Sequence, residues 1–158
     1  MWESICFGRI HIGHQLFTGD GLLGQEEGGD LIQQRSVFLQ DANTMCLRPD
    51  WLAEIIRYVR VKLPEIKRIT SYGRANTLAK ISAEDYKMLK EAGLDRIHSG
   101  YESGSDKVLA LIEKGCTQEE QIIGGRKVRE AGIELSIYFM PGVGGKELSD
   151  DNAIETAK

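Results

Sequence analysis

The chain has 158 residues, 41% of them hydrophobic and 28% charged, which is enough apolar material for one domain or part of a larger one. Its net charge of −4 argues against a nucleic-acid or membrane-surface protein, and no apolar run reaches the roughly 18–20 residues of a bilayer span. An odd number of cysteines, three, and the absence of a secretory signal predict a cytoplasmic chain without a disulfide framework.

The first segment, residues 1–35, is predicted to be mostly irregular, with one short strand near Ile5–Ile12. Seven of the 18 glycines lie within its first 30 residues. No hydrophobic period of 2 or 3.6 persists there, so neither a regular strand nor a helix is indicated over any length. The remaining residues, 36–158, are predicted to form the folded domain.

The domain begins with a strand and a helix. Val37-Phe38-Leu39 is a short apolar run, which is typical of a buried strand. Pro49 suits the first turn of a helix, apolar residues follow it at helical spacing, and Pro64 ends that helix. A second strand is predicted over Lys67–Tyr72.

The later elements are indicated by capping and glycine signals. Ser82 and Thr117 are predicted N-caps, and Gly93 and Gly132 are predicted helix stops. In chain order, the predicted elements are a helix from Ser82 to Gly93, a strand over Leu94–Ser99, a helix over Ser105–Glu113, a helix from Thr117 to Gly132, a strand over Ile133–Met140 and a final helix capped by Ser149.

Strands that alternate with helices predict an α/β fold built on a parallel sheet. A complete eight-unit barrel needs about 250 residues, so four units predict a partial (β/α) TIM-like barrel. Four parallel strands do not close, and their exposed edges predict self-association or dependence on further sequence.

Polar or glycine-rich loops follow each predicted strand, where parallel α/β folds bind ligands. In the third loop, Gly100 and Gly104 flank Glu102 and would let backbone N–H groups approach a small polar ligand. Ser103 and Ser105 are candidates to cap the next helix. The alternative is that these loops are polar only because they are exposed, and that Glu102 merely supports the cap.

A set of motifs occurs in fixed order through this region. They are RIHSGYESGSDKVL at residues 96–109, then Lys114-Gly115, Ala131-Gly132-Ile133 and Phe139-Met140-Pro141-Gly142. Together they resemble radical S-adenosylmethionine (radical SAM) enzymes, closest to the coproporphyrinogen-dehydrogenase and tRNA-modifying branch, over roughly residues 36–158. The resemblance implies a partial barrel and an iron–sulfur oxidoreductase. Such an enzyme binds S-adenosylmethionine beside a [4Fe–4S] cluster and cleaves it reductively to a 5′-deoxyadenosyl radical.

The same resemblance implies contacts to S-adenosylmethionine. Glu102 stands at the position of a ribose contact and Lys114 at that of a partner for the methionine carboxylate. Asp41, within Gln40-Asp41-Ala42, replaces a glycine-rich motif near the methionine amino group. The remaining implied contacts are Ser71 or its neighbour, Tyr138, which stands where one branch has a ribose-binding aspartate, and Gly142 and Gly144.

The sequence departs from the family at the cluster. The resemblance implies a Cys-x3-Cys-x2-Cys loop after the first strand, whereas Cys6, Cys46 and Cys116 are 40 and 70 residues apart. No metal ligand or catalytic residue is therefore assigned. We expect a truncated or degenerate radical SAM domain that is inactive as the isolated chain, with a non-catalytic S-adenosylmethionine-binding or scaffold remnant as the alternative.

Two further patterns suggest other functions. His11-Ile12-Gly13-His14 matches the short signature of class I aminoacyl-tRNA synthetases, which makes a nucleotide binder a remote alternative. A basic stretch from Arg57 to Arg68 would suit a tRNA-facing surface or a solvated helix face, and the negative net charge favours the solvated face. We therefore expect a small-molecule cofactor as partner, and neither a membrane nor a nucleic acid.

Overall fold

Four parallel strands form one sheet in the part of the chain that the computed structural model describes, residues 36–158. The strands are β1 (Ser36–Leu39), β2 (Arg68–Tyr72), β3 (Arg96–Glu102) and β4 (Glu134–Phe139). Each pairs with the next along the chain, in the order β1-β2-β3-β4. The predicted α/β fold with a parallel, unclosed sheet is therefore confirmed. The strand predicted near Ile5–Ile12 and the histidines of the His11–His14 motif lie outside the described residues.

Helices connect these strands or follow the last of them. Within residues 36–158 they are α1 (Pro49–Lys62), α2 (Ala75–Lys80), α3 (Ala83–Ala92), α4 (Asp106–Leu111), α5 (Gln118–Glu130) and α6 (Ser149–Thr156), with a 3₁₀ turn at Thr44–Cys46. Sequence patterns did not predict α2 and the 3₁₀ turn, because such short elements show no helical period. None of the helices in this region is long and apolar enough to cross a bilayer.

Side-chain caps hold three of the predicted helix starts. The Ser82 hydroxyl accepts a hydrogen bond from the Asp85 amide at 3.0 Å, at the start of α3. Thr117 and Glu120 form a reciprocal capping box at the start of α5, and Ser105 caps α4. These local bonds satisfy amides that have no partner inside the helix, so the element boundaries could be read from sequence.

The predicted cap at Ser149 was wrong. Ser149 is the first helical residue of α6, and Leu148 before it makes no side-chain cap bond. Asp150 and Asp151 lie in the first turn instead, where their charges complement the positive end of the helix dipole.

The hydrophobic core lies between the sheet and the helices. Strand alternation places the buried aliphatic residues of the sheet on this helix-facing side: Val37, Leu39, Ile69 and Ile97 are all buried, and Leu135 packs partly against them. The opposite side, here called the polar face, carries the alternate side chains. These are Ser36, Phe38, Arg68, Thr70, Tyr72, Arg96, His98, Gly100, Glu134, Ser136 and Tyr138. The two faces of one sheet therefore differ sharply in chemistry.

Part of the basic stretch stabilises the fold. Arg60 on α1 donates to the Asp95 carboxylate at 2.6 Å and to the carbonyl oxygens of Ile66 and Gly93. The same Asp95 oxygen accepts a hydrogen bond from the Ile69 amide at the start of β2. Arg60 is part-buried and joins α1 to the starts of β2 and β3. This structural role explains the residue, and no contact with a nucleic acid is needed to account for it.

Helix α6 docks on the loop after β3. Gly104 donates its amide hydrogen to Thr156 Oγ1 at 2.9 Å, and Ser103 Oγ donates to Asn152 Oδ1 at 2.6 Å. A Cβ on Gly104 would lie 2.6 Å from the Glu155 carbonyl oxygen. Gly104, which was expected to let a ligand approach, thus lets α6 approach instead. Ser103, which was expected to cap α4, binds α6 as well.

We expect Gly104→Ala to destabilise the protein by about 1–3 kcal/mol, because the added methyl group would meet the backbone of α6. Hydrogen exchange should also become faster in residues 149–156. Gly142→Ala is the control, since it adds only left-handed backbone strain (φ 80°) with nothing within 4 Å. Equal exchange rates in α6 for the two variants would contradict this account of the docking.

Candidate functional site

The carboxyl end of β3 brings Glu102 and Lys114 together. Lys114 Nζ lies 3.0 Å from Glu102 Oε1, and both side chains are mostly buried. A Cβ on Gly100 would collide with Glu102 Oε1 and lie 3.3 Å from Lys114 Nζ, so the ion pair sits directly over this glycine. Because Gly100 belongs to the polar face, the pair lies over that face, at the carboxyl end of the strands.

An irregularity in β3 directs Glu102 to this position. The pairing with β4 shifts between Gly100 and Glu102, and Glu102 has a left-handed backbone, with φ 65°. A glutamate rarely adopts this conformation, and such strain concentrates where a side chain has a function. The strain is held in place by neighbouring contacts, because Tyr101 is buried and the Met140 amide donates to the Glu102 carbonyl at 2.9 Å.

Lys114 is placed by the turn after α4. Two residues of this turn have positive φ, Glu113 at 51° and Gly115 at 72°. The Lys114 amide donates to the Leu109 carbonyl at 2.9 Å, which fixes the backbone of the turn against the helix. The sequence singled out this lysine by resemblance, and the fold brings it to Glu102 across 12 residues of chain.

The other predicted site residues are distributed around this end of the sheet. Asp41 is exposed in the loop after β1, where its own Oδ1 accepts the Ala42 amide at 2.7 Å. Tyr138 pairs with Gly100 in the register of β3 and β4 and is 44% exposed. Gly142 has φ 80° in the turn after β4, and Gly144 is buried.

Ser71 has a different environment from the rest of the predicted set. It is paired with Leu39 and Ile97, which places it on the helix-facing side, and it is fully buried (0% exposed). Its hydroxyl has no hydrogen-bond partner among the described residues. Its neighbour Tyr72 points to the polar face instead.

The loops after β1 and β2 are joined to each other. Asn43 Oδ1 accepts the Arg74 amide at 2.9 Å, and Asn43 Nδ2 donates to Thr77 Oγ1 at 2.9 Å. Arg74 extends towards Gly115, because a Cβ on that glycine would lie 4.0 Å from Arg74 Nη2. Arg74 and Lys114 thus bring two positive charges to the carboxyl end of the sheet.

A row of aromatic rings crosses the polar face, with one ring from each strand. Phe38 and Tyr72 have ring centroids 5.0 Å apart, Tyr72 and His98 are 5.7 Å apart, and His98 and Tyr138 are stacked at 5.8 Å. The Tyr138 hydroxyl and His98 Nδ1 share a hydrogen bond at 2.9 Å. Sequence reasoning missed this row, although aromatic and polar residues alternate with aliphatic ones in each strand.

A charged group lies on the amino-end side of the rings. Glu134 makes a short hydrogen bond with Arg96 and lies 3.6 Å from Arg68 Nη2. This hydrogen bond to Arg96 lowers the pKa of Glu134 and raises that of Arg96. Arg96 Nε is buried without a partner among the described residues.

The cysteines do not form a cluster site in the described residues. Cys46 is exposed and Cys116 is partly buried, and neither is in a disulfide. Burial raises the pKa of Cys116, which favours its thiol over the thiolate that an iron would require. Residues 36–158 contain no group of three histidine, cysteine or acidic side chains that could hold a metal ion.

Comparisons with known proteins identify a family. The sequence model of the radical SAM superfamily matches residues 32–157. The chain is 25% identical over 125 residues to the heme chaperone HemW of Bacillus subtilis (strain 168), an alignment that covers 78% of this chain and 33% of HemW. It is 49% identical over 49 residues to 4'-phospho-dehydrooxetanocin synthase of Priestia megaterium, across 31% of this chain and 7% of that protein.

Solved structures agree with the sequence comparisons. OxsB, a cobalamin-dependent S-adenosylmethionine radical enzyme, matches with a TM-score of 0.54 and 25% identity in its aqua-cobalamin form. The form with aqua-cobalamin and S-adenosylmethionine bound gives a TM-score of 0.53 and 27% identity. Each match covers 78% of this chain but only 19% and 18% of OxsB. The chain therefore spans about a third of HemW and under a fifth of OxsB.

We expect His98 to make stability depend on pH. Burial, and then the charge of Arg96, lower the pKa of His98 from its usual value of 6.5, so the unfolded chain takes up this proton first as the pH falls. The free energy of unfolding should therefore decrease below about pH 6.5. In His98→Gln the difference in unfolding free energy between pH 7.5 and 5.5 should be smaller, as measured by urea denaturation. An unchanged difference would show that His98 does not titrate abnormally.

Proposed function

The chain belongs to the radical SAM superfamily, and on that premise we propose that residues 36–158 bind S-adenosylmethionine at the carboxyl end of the sheet. The observation that carries the proposal is the Glu102–Lys114 pair, part-buried over Gly100. S-adenosylmethionine has ribose hydroxyls that can donate to a carboxylate and a methionine carboxylate that can accept from an ammonium. The two side chains of the pair supply these complementary groups.

The geometry of the pair allows a ligand to replace the contact between Glu102 and Lys114. Without a ligand, Glu102 and Lys114 satisfy each other at 3.0 Å, so neither charge is buried alone. A ligand that offers hydroxyls to the carboxylate and a carboxylate to the ammonium replaces one charge-assisted contact by two. The glycine beneath the pair leaves room for this side-chain movement.

The remaining predicted contacts are part of the same proposal. Asp41 is exposed, and its carboxylate would accept hydrogen bonds from the methionine ammonium group. Tyr138 would contribute its hydroxyl from the edge strand. The buried side chain of Ser71 faces the helices, so we assign the contact at this strand end to its neighbour Tyr72. Gly142 and Gly144 would form the wall after β4.

The residues present do not fit a [4Fe–4S] cluster. In the family this group supplies the electron that cleaves S-adenosylmethionine. Here the three cysteines are 40 and 70 residues apart, and burial favours the neutral form of Cys116. We therefore propose that these 158 residues bind S-adenosylmethionine without holding the cluster themselves, and we derive no radical step for them.

The activities of the relatives are not carried over to this chain. The heme and cobalamin named for HemW and OxsB belong to proteins of which this chain spans a minor part. A cytoplasmic location is part of our proposal, and self-association through the outer edges of β1 and β4 remains a prediction. The N-terminal histidine motif adds no support for a synthetase, because residues 11–14 lie outside the described region.

We expect isothermal titration calorimetry to detect S-adenosylmethionine binding to the full chain. Glu102→Gln and Lys114→Gln should each weaken binding about tenfold or more, the effect of losing one hydrogen bond to a charged group. Glu91→Gln and Lys90→Gln are matched controls, because both residues are exposed on α3 near the amino end of β3. Loss of binding in the controls, or no binding to the parent chain at millimolar ligand, would refute the proposal.

We expect anaerobic reconstitution with iron and sulfide to leave the chain without a stoichiometric cluster, because no cysteine triad with the family spacing is present. Iron and sulfide analysis after desalting is the measurement. Four irons and four sulfides per chain, with the visible absorption of a [4Fe–4S] centre, would contradict the claim. S-adenosylmethionine binding would remain a separate result in either case.

A further inference from the structure

The polar face lacks the side chains that fill an ordinary barrel interior. Barrel interiors are packed mainly with branched aliphatic residues. The strand positions of the polar face include no aliphatic residue, whereas the helix-facing positions include Val37, Leu39, Ile69, Ile97 and Leu135. This contrast within one sheet indicates that the polar face was selected for contact with something other than an aliphatic core.

The aromatic row offers both ring faces and ring edges to a ligand, because the planes of Phe38 and Tyr72 meet at 78°, those of Tyr72 and His98 at 55°, and His98 and Tyr138 are stacked. Its four rings, from Phe38 to Tyr138, form contacts between 5.0 and 5.8 Å across all four strands. The rings are only partly buried, and Tyr138 is 44% exposed. Such rings bind planar aromatic groups through offset-stacked and edge-to-face contacts and gain less from saturated groups.

The charges beside the rings favour an anion. Arg68 and Arg96 share one carboxylate, Glu134, so this group carries one excess positive charge among the described residues. Arg96 Nε is also buried and unpartnered within residues 36–158. A ligand with a negative substituent on this side of the row would compensate the excess charge.

The Tyr138 end of the row adjoins the Glu102–Lys114 pair. Tyr138 pairs with Gly100, the residue over which Glu102 and Lys114 lie. The aromatic row therefore lies between the charged group of Arg68, Arg96 and Glu134, on its amino-end side, and the proposed S-adenosylmethionine site at the carboxyl end of β3. A ligand on the rings would lie next to a molecule bound at that pair.

We propose that the polar face is a binding site for a planar aromatic anion, packed against the rings of the row from Phe38 to Tyr138 with its negative group at Arg68 and Arg96. Binding of this ligand stands on the rings and arginines alone. Its role as the substrate class that is presented to S-adenosylmethionine rests on the function proposed above. The two claims share Tyr72 and Tyr138 but are carried by different charged groups, so they can fail separately.

The test uses the full chain and three probes that separate ring from charge. 2-Naphthoate is planar and anionic, cyclohexanecarboxylate is anionic without a flat ring, and 2-naphthylmethanol is planar without a charge. In proton NMR titrations we expect 2-naphthoate to shift the tyrosine and His98 ring signals saturably. The alcohol should bind more weakly, and cyclohexanecarboxylate should leave the signals unchanged.

Variants assign the binding to this face. Phe38→Leu should weaken 2-naphthoate binding about tenfold through the loss of one stacking ring. Arg68→Gln should weaken binding of 2-naphthoate but not of 2-naphthylmethanol. Tyr58→Leu and Arg57→Gln are the matched controls, because both residues lie exposed on α1, on the other side of the sheet.

The outcomes distinguish the site from the proposed function. Phe38→Leu and Arg68→Gln should retain S-adenosylmethionine binding, which also shows that they fold, whereas Glu102→Gln should retain 2-naphthoate binding. No saturable shift with 2-naphthoate, equal binding of cyclohexanecarboxylate, or loss in the α1 controls would overturn the proposal. S-adenosylmethionine binding that fails while 2-naphthoate still binds would refute the function and leave this site intact.

Discussion

The anchoring of Tyr101 between β3 and α5 is the interaction on which the rest of the site depends. Its hydroxyl donates to the Gln121 carbonyl at 2.7 Å, and the Gln121 amide side chain donates back to the Tyr101 carbonyl at 3.0 Å. Burial raises the pKa of Tyr101 to about 12, so the phenol stays neutral and keeps donating. With Tyr101 fixed in the helix layer, the next residue, Glu102, takes the left-handed backbone that turns its carboxylate over Gly100.

The same anchor positions the loop after β3. Directly after Glu102, Ser103 and Gly104 bind α6, and Ser105 caps α4. Residues 101–104 thus make three sets of contacts. Tyr101 binds α5, Glu102 pairs with Lys114, and Ser103 and Gly104 bind α6. Small residues are required because three elements converge there, and this explains the glycines and serines of the loop without a ligand at every position. Packing therefore accounts for part of the likeness to the family signature.

The sequence could predict whatever depended on local chemistry. Ser82, Thr117 and Gly93 mark helix ends through bonds within a few residues, and β-strands alternate with helices as the apolar pattern indicates. Resemblance assigned Glu102 and Lys114 to separate contacts with the same cofactor, and the ion pair between them is seen only in the structure. The side of the sheet on which Ser71 lies and the occupation of Gly104 by α6 depend on strand register and on residues about 50 positions away. Neither is encoded in a short window.

In the function proposed above, binding of S-adenosylmethionine is separate from ligation of a cluster. The proposed binding groups come from β3, its loop and the turn after α4, all held by the Tyr101 anchor and the α6 contacts. The cysteine loop that the family resemblance implies would belong to a different strand end. Cys116 takes part in the Tyr101 anchor as an acceptor, with its Sγ 3.7 Å from Gln121 Nε2. Under the proposed function, the placement of Glu102 and Lys114 therefore does not require a cysteine to act as an iron ligand. On that proposal, the described residues bind S-adenosylmethionine independently of any residues that would hold a cluster.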